Sequence, residues 1–271
     1  MKRIITNNST YQYLNPNETS VIARLSYEKI SIVRREQIAQ WFEFPRVVLD
    51  KTISRLSKKG ILRSITKGVY FYSPLEAGPS GMNINEFLVP SIVFPKGNYY
   101  VGYTSMYNYY GLLDQISQTM YILNTSLQRK KTIGNRFFKM VRISPRRMYG
   151  IKRLSLRDCE VLVSDRERTL VDMMYFSAPV GGLRRAFEIL QSQVEAKKIN
   201  VKKLVQYAVR FPSKSTRKRI GFALEQGGVP NARLATLARS VKSTALITLY
   251  GATSRKGVIN NKWKAIIDDS R

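Results

Sequence analysis

"SKKGILRSITKGVYFY", residues 57–72, joins a basic helix end to two short apolar or aromatic runs. Gly60 falls where a helix C′ residue belongs, since glycine enters the left-handed region without a Cβ penalty. Ile61-Leu62-Arg63 and Val69-Tyr70-Phe71-Tyr72 are β-branched or aromatic, and Thr66-Lys67-Gly68 between them supplies a turn. The stretch predicts a helix, a stop, then a hairpin with a cationic tip.

Working outward, "PRVVLDKTISRLSKKG" (45–60) puts Pro45 at the first helical position. Leu49, Ile53 and Leu56 recur at i, i+4 and i+7, a single buried stripe. The opposite side carries Val47, Lys51, Ser54, Arg55 and Lys58. Before it, "VRREQIAQWF" (33–42) predicts a short helix with Ile38, Trp41 and Phe42 inward. "NETSVIARLSYEKISI" (17–32) predicts another, capped by Asn17, Thr19 or Ser20, with Val21, Ile22 and Leu25 on its apolar face. Three helices and a hairpin in that order spell a winged helix-turn-helix. Its third helix is expected in a major groove, with Lys67 and Arg63 on the wing touching backbone or minor groove.

"SPLEAGPSGMNINEF" (73–87) is rich in Pro, Gly, Ser and Asn, and places a domain break near residue 80. Beyond it, "YYVGY", "TMYILN", "RFFKMVRIS" and "CEVLVS" read as strands, and "MYGIKRLSL" as a weaker one. Thr104 is expected to cap a short helix that Gly111 ends. From residue 165 the pattern turns helical, with Leu170, Met173 and Met174 on one side of the first helix and Asn200 and Ser215 as caps further on. The last segment is strand-like again. The expected fold class is α+β: a winged helix-turn-helix domain over 1–80, then a mixed domain over 81–271 with a small sheet and a helical bundle.

Charge constrains the partners. Forty-six Lys and Arg against 18 Asp and Glu give a formal +28, which favours polyanions by attraction and by counterion release. Residues 126–157 hold 11 basic residues and no acid, and residues 196–224 hold 9, again with none. No apolar run approaches the ~18 residues of a membrane span. The opening "MKRIITNNSTYQYLNPNETS" has no signal-peptide pattern, so a cytoplasmic protein is expected. Cys159 is the single cysteine, which excludes an intrachain disulfide.

Histidine is absent, which removes His-based triads, His metal ligands and the usual base near neutral pH. Neither GxxxxGK[ST] nor GxGxxG occurs; "GATSRKG" (251–257) reads as a hairpin turn. The carboxylate pairs Asp158 with Glu160, Asp165 with Glu167, and Asp268 with Asp269 are the candidates for magnesium. Asp165 and Glu167 sit at a helix start, where capping and dipole roles account for them. No catalytic residue, metal or cofactor is expected. Tyr99, Tyr100, Tyr103, Tyr107, Tyr109, Tyr110 and Tyr121 read as packing residues, with stacking on bases the alternative.

The ordered set "RREQIAQWF…VVLDKTISRLSKKGILRSITKGVYFY", "YYVGYTSMYNYYGLLDQISQTMYILN", "VLVSDRERTLVDMM" and "GVINNKWKAIID" resembles the AbiEi family, antitoxins of bacterial type IV toxin–antitoxin (abortive infection) systems. The resemblance covers roughly residues 20 to 267 and implies a non-catalytic, bifunctional protein. The winged helix would bind inverted repeats of double-stranded operator DNA and repress its own operon. The C-terminal domain would oppose a nucleotidyltransferase-like toxin. Arg46, Lys51, Ser54, Arg55 and Lys58 match the family's recognition helix, and Arg63 and Lys67 its wing. Arg55 and Lys51 are expected at base edges, Lys58 and Lys67 at phosphates. Two readings from other classes stay open on the residues: a metal-dependent nuclease or nucleotidyltransferase, and an RNA-binding module using the acid-free windows.

Overall fold

A computed structural model of the chain describes residues 13–74, 85–133, 136–156, 159–253 and 255–267. The fold is α+β. It divides into two compact units, the first running to Pro95 and including Lys131–Phe137, the second taking Lys96–Lys130 and the chain from Phe138 onward. The break expected near residue 80 lies outside the described residues. The division falls after Pro95 because α4 (Leu88–Val93) packs on β2 (Leu62–Thr66) and Glu86 pairs with Arg136 at 3.6 Å.

The first unit runs α1 (Pro16–Tyr27), β1 (Ile32–Arg34), α2 (Arg35–Phe42), α3 (Arg46–Lys58), β2, β3 (Val69–Tyr72), α4. Asn15, not Asn17, Thr19 or Ser20, caps α1. Its side chain accepts from Glu18 N–H while Glu18 returns the bond to Asn15 N–H, and Pro16 takes the first helical position. The second helix starts two residues later than its sequence suggests, because Val33 is buried in a short strand. That strand pairs antiparallel with β3, giving the sheet order β1-β3-β2. Pro45 sits at the cap of α3, one residue before the expected position. Gly60, at φ +74°, ends α3 as expected: Gly60 N–H donates to Ser57 O and Ile61 N–H to Leu56 O. Val21, Leu25, Val33, Ile38, Leu49, Ile53, Leu56 and Ile61 form the core.

The second unit carries most of a six-stranded sheet with order β6-β7-β5-β4-β9-β8: β4 (Tyr99–Gly102), β5 (Thr119–Asn124), β6 (Arg129–Ile133), β7 (Arg136–Arg142), β8 (Ile151–Leu156) and β9 (Cys159–Ser164). β4 runs parallel to β9 and antiparallel to β5. The short helix α5 (Thr104–Tyr109) takes Tyr103, at φ 51°, as its cap rather than Thr104, whose hydroxyl donates to Thr119 O. Helices α6 (Arg166–Tyr175), α7 (Leu183–Glu195), α8 (Val201–Arg210), α9 (Lys214–Gln226) and α10 (Asn231–Arg239) follow. Asn200 caps α8 as expected, whereas α9 is capped by Ser213, not Ser215.

The chain closes with β10 (Ile247–Thr248), β11 (Val258–Asn260) and β12 (Ala265–Ile267), in the order β10-β12-β11. "GATSRKG" is therefore no hairpin turn, since it links two strands that are not neighbours. Trp263 anchors this sheet: its Nε1 donates to Glu225 Oε2 at 2.6 Å, and its ring lies on Gly221, where a Cβ would sit 2.0 Å from a ring carbon.

α6 is buried on every side from Glu167 to Met174, not on a single stripe. At its centre Asp172 accepts from Arg168 Nη2 (2.9 Å), Arg147 Nη2 (3.3 Å) and Tyr100 OH (3.1 Å). Two buried guanidiniums thus share one carboxylate. Arg147 Nε, Arg168 Nε and Arg168 Nη1 make no hydrogen bond. The rings of Tyr149 (4.5 Å) and Phe211 (5.1 Å) face Arg168, and those of Tyr175 (4.6 Å) and Phe211 (5.0 Å) face Arg147, so π-faces take up the remaining charge. Tyr99, Tyr100, Tyr103 and Tyr107 are core residues, while Tyr109 is 46% exposed.

Burial, chiefly, pushes the Tyr103 and Tyr149 phenols up to about 12 from an ordinary 10. A phenol so shifted binds more protons in the folded chain than in the unfolded chain between those values. Stability is therefore complete below pH 10 and falls as pH rises toward 12. Urea titrations of the second unit's fluorescence at stepwise pH from 8 to 11.5 should show a midpoint that holds, then drops above pH 10.

Candidate nucleic-acid interface

α3 splits cleanly into two faces. Leu49, Thr52, Ile53 and Leu56 point into the core. Arg46, Val47, Asp50, Lys51, Ser54, Arg55 and Lys58 are all exposed, with Arg46 at 90% of its side chain and Val47 at 63%. The structure thus brings the five helix positions expected from sequence onto one outward surface. Arg55 and Lys58 also lie in the last turn, where cations complement the helix dipole.

Two residues of this surface escaped the sequence reading. Asp50 is the one acid on the exposed face of α3, and Arg35 opens α2. Arg35 Nε and Nη2 both reach Asp50 Oδ1, at 2.9 and 2.8 Å, while Arg46 Nε stands 4.0 Å from Oδ2. Arg35 N–H also donates to Gly68 O at 2.8 Å. One arginine therefore joins α2, α3 and the hairpin turn. The Arg46–Asp50 pair was legible as an i, i+4 spacing; the Arg35–Asp50 pair spans 15 residues and leaves no local trace.

The hairpin puts Lys67 in the exposed turn, beside Gly68 at φ +74°. Arg63, expected on the wing, is half-buried, and its Nε donates to Gly60 O at 3.3 Å. It lies near the end of α3, not at the tip, because it sits within β2, paired with Phe71, at the end of the hairpin away from the turn. Behind the surface, Lys59 ties α3 to α1 through Glu18 (2.5 Å) and Tyr13 O (2.6 Å). The outward groups are guanidinium, ammonium, hydroxyl and a Val47 methyl pair, with one carboxylate. They match phosphates, purine edges and the thymine methyl.

In the second unit the candidate magnesium pair is occupied by a lysine. Asp165 caps α6 by accepting from Arg168 N–H, as expected, and Lys203 Nζ reaches Asp165 Oδ2 at 3.0 Å and Glu167 Oε2 at 3.1 Å. Burial works against the Glu167 carboxylate, but the Asn200 N–H and Lys203 outweigh it and hold its pKa below the ordinary value. Glu160 is 74% exposed beside Arg153, and Asp158, Asp268 and Asp269 lie outside the described residues. No group of three acidic or cysteine side chains suited to a metal occurs among the described residues.

The acid-free window 196–224 also has an internal explanation in part. Along α9, Lys214 donates to Ser240 O, Arg217 to Phe211 O, Lys218 to Ala245 O and Lys264 O, and Arg219 to Leu249 O. Lys218 is 1% exposed, and burial, with the charge of Lys264, lowers its pKa. Lys218 and Arg219 hold the closing segment of the chain by its carbonyls instead of by acids, while Lys214 holds the end of α10 and Arg217 the end of α8 in the same way.

No helix among the described residues is long and apolar enough to cross a membrane. No protein-family model matches the chain, and no curated protein matches it. Among solved structures, the Rv2827c protein from Mycobacterium tuberculosis is similar, with a TM-score of 0.64 over 94% of this chain and 92% of that one, at 17% identity. At that identity the likeness is one of fold.

Proposed function

We propose that the chain is a DNA-binding antitoxin and autorepressor whose first unit is a winged helix-turn-helix. One observation carries the reading: α3 turns Arg46, Lys51, Ser54, Arg55 and Lys58 outward while its other face fills the core. The hairpin with Lys67 at its turn is tied to the same helix through Arg35. A helix so mounted enters a major groove, with the wing on the adjacent backbone. The +28 formal charge adds an affinity that any duplex elicits.

The antitoxin half rests on the resemblance to the AbiEi family. The non-catalytic reading is supported by Lys203, which neutralises the two carboxylates best placed for a metal. Selection of the full chain against a random duplex pool tests the DNA half. Enrichment of an inverted repeat, with affinity falling steeply with salt, is expected; a pool that enriches nothing removes the reading. For the other half, the neighbouring reading frame should encode a nucleotidyltransferase-like protein whose growth arrest is relieved by co-expression of this chain. Persistent arrest would leave a repressor that is no antitoxin.

A further inference from the structure

We propose that the groove along α8 in the second unit docks an acidic amphipathic helix of a partner protein. Val201, Val205 and Val209 recur every fourth residue and make one ridge along its floor. Val229 and Pro230, leading into α10, form the facing wall, and the space between them is about 1080 Å³. Val205 and Val229 are buried, whereas Val201 and Val209 remain half-exposed. β-branched residues lose rotamer freedom in a helix, so a three-turn valine ridge is a disfavoured choice unless the branched tops meet something. A trough of this length suits a helix that lays its i, i+3, i+4 and i+7 side chains into it.

Charge selects the occupant. Lys197, Lys202 and Arg233 stand exposed among the lining residues, which include no Asp or Glu. A second copy of a +28 chain would bring like charge to that rim. Nucleic acid would satisfy the cations, but no aromatic side chain lines the groove to stack a base, and phosphates leave the valines uncovered. A helix with aliphatic residues on one face and glutamates on the flanks satisfies both. On this arrangement the ridge supplies affinity, and the rim supplies orientation and rate of encounter. The inference concerns the second unit alone and stands apart from the DNA reading.

The probe is a fluorescein-labelled 15-residue peptide with leucines at helical spacing and glutamates elsewhere, set beside a twin with lysine for glutamate. Anisotropy titration with the full chain should show saturable binding of the glutamate peptide and none of its twin. Lys202→Glu/Arg233→Glu, both exposed, should weaken binding by about tenfold or more, and Val209→Asp should do the same. Arg129→Glu/Lys130→Glu removes the same charge from exposed β6 positions and should leave affinity unchanged. The proposal is overturned by non-saturable binding, by equal loss in the two charge-reversed chains, or by displacement of the peptide by an oligonucleotide single strand. Because the surface reversals leave the core untouched, a Val209→Asp chain that fails to fold does not remove the test.

Discussion

Arg55→Ala, put through the duplex selection, should still yield a consensus, but one relaxed at a single position in each half-site. A bidentate arginine–guanine pair discriminates by about 1–3 kcal/mol, so the enriched base there should lose roughly ten- to hundredfold preference. Lys58→Ala/Lys67→Ala should behave differently. Both side chains are exposed and assigned to phosphates, so their loss should weaken every duplex alike and lower the log–log salt slope by about 1.8, at about 0.9 for each contact. The two outcomes separate reading from gripping on one surface. Neither variant should shift the unfolding midpoint appreciably, since exposed substitutions of this kind stay within about 0.5 kcal/mol. An unchanged consensus with Arg55→Ala would mean that the helix sits in the groove in another register. Unchanged affinity in all three positions would remove α3 from the interface.

What the sequence disclosed about this surface followed from local rules. The stripe Leu49, Ile53, Leu56 fixed which side of α3 faces the core, and therefore which side carries Lys51, Arg55 and Lys58. The glycine at 60 fixed where the helix stops, through two backbone bonds that only a left-handed residue permits. Non-local features stayed hidden. β1 is three residues long and exists only because β3 returns to pair with it. Arg35 reads locally as a surface residue, and its tie to Asp50 exists only once the chain is folded. The same limit applies to the acid-free windows. Their composition suggests an open cationic surface, yet four cations of α9 are directed at backbone carbonyls, Arg217 at the end of α8 and the other three at later segments. In two of the motifs that carried the family resemblance, "VLVSDRERTLVDMM" and "GVINNKWKAIID", polar residues turn out to have structural roles in this chain. Asp165 caps α6, Asp172 neutralises two arginines, and Asn260 accepts from Trp263 N–H at the closing sheet.

Asp172→Asn should be the most damaging conservative substitution in the second unit, at a cost of about 3–5 kcal/mol. That is the range for removing one partner from a buried ion pair and leaving the other charge uncompensated. The side chain is 0% exposed, and the change in shape is minimal, so packing loss contributes little. The charge balance changes sharply: Arg168, 0% exposed, and Arg147, 9% exposed, would keep two positive charges with only tyrosine hydroxyls and ring faces around them. Desolvation makes the cost large; the same substitution at exposed Asp50 should cost little. With Trp41→Phe as background, Trp263 becomes the single tryptophan and reports the second unit by fluorescence during urea unfolding. Adding Arg147→Met to Asp172→Asn should recover part of the loss, because it removes one of the two stranded charges while leaving an aliphatic stem between Tyr175 and Phe211. If Asp172→Asn costs no more than Asp50→Asn, or if Arg147→Met makes the double variant worse by its full single-variant cost, the carboxylate is not what holds the two guanidiniums in the core.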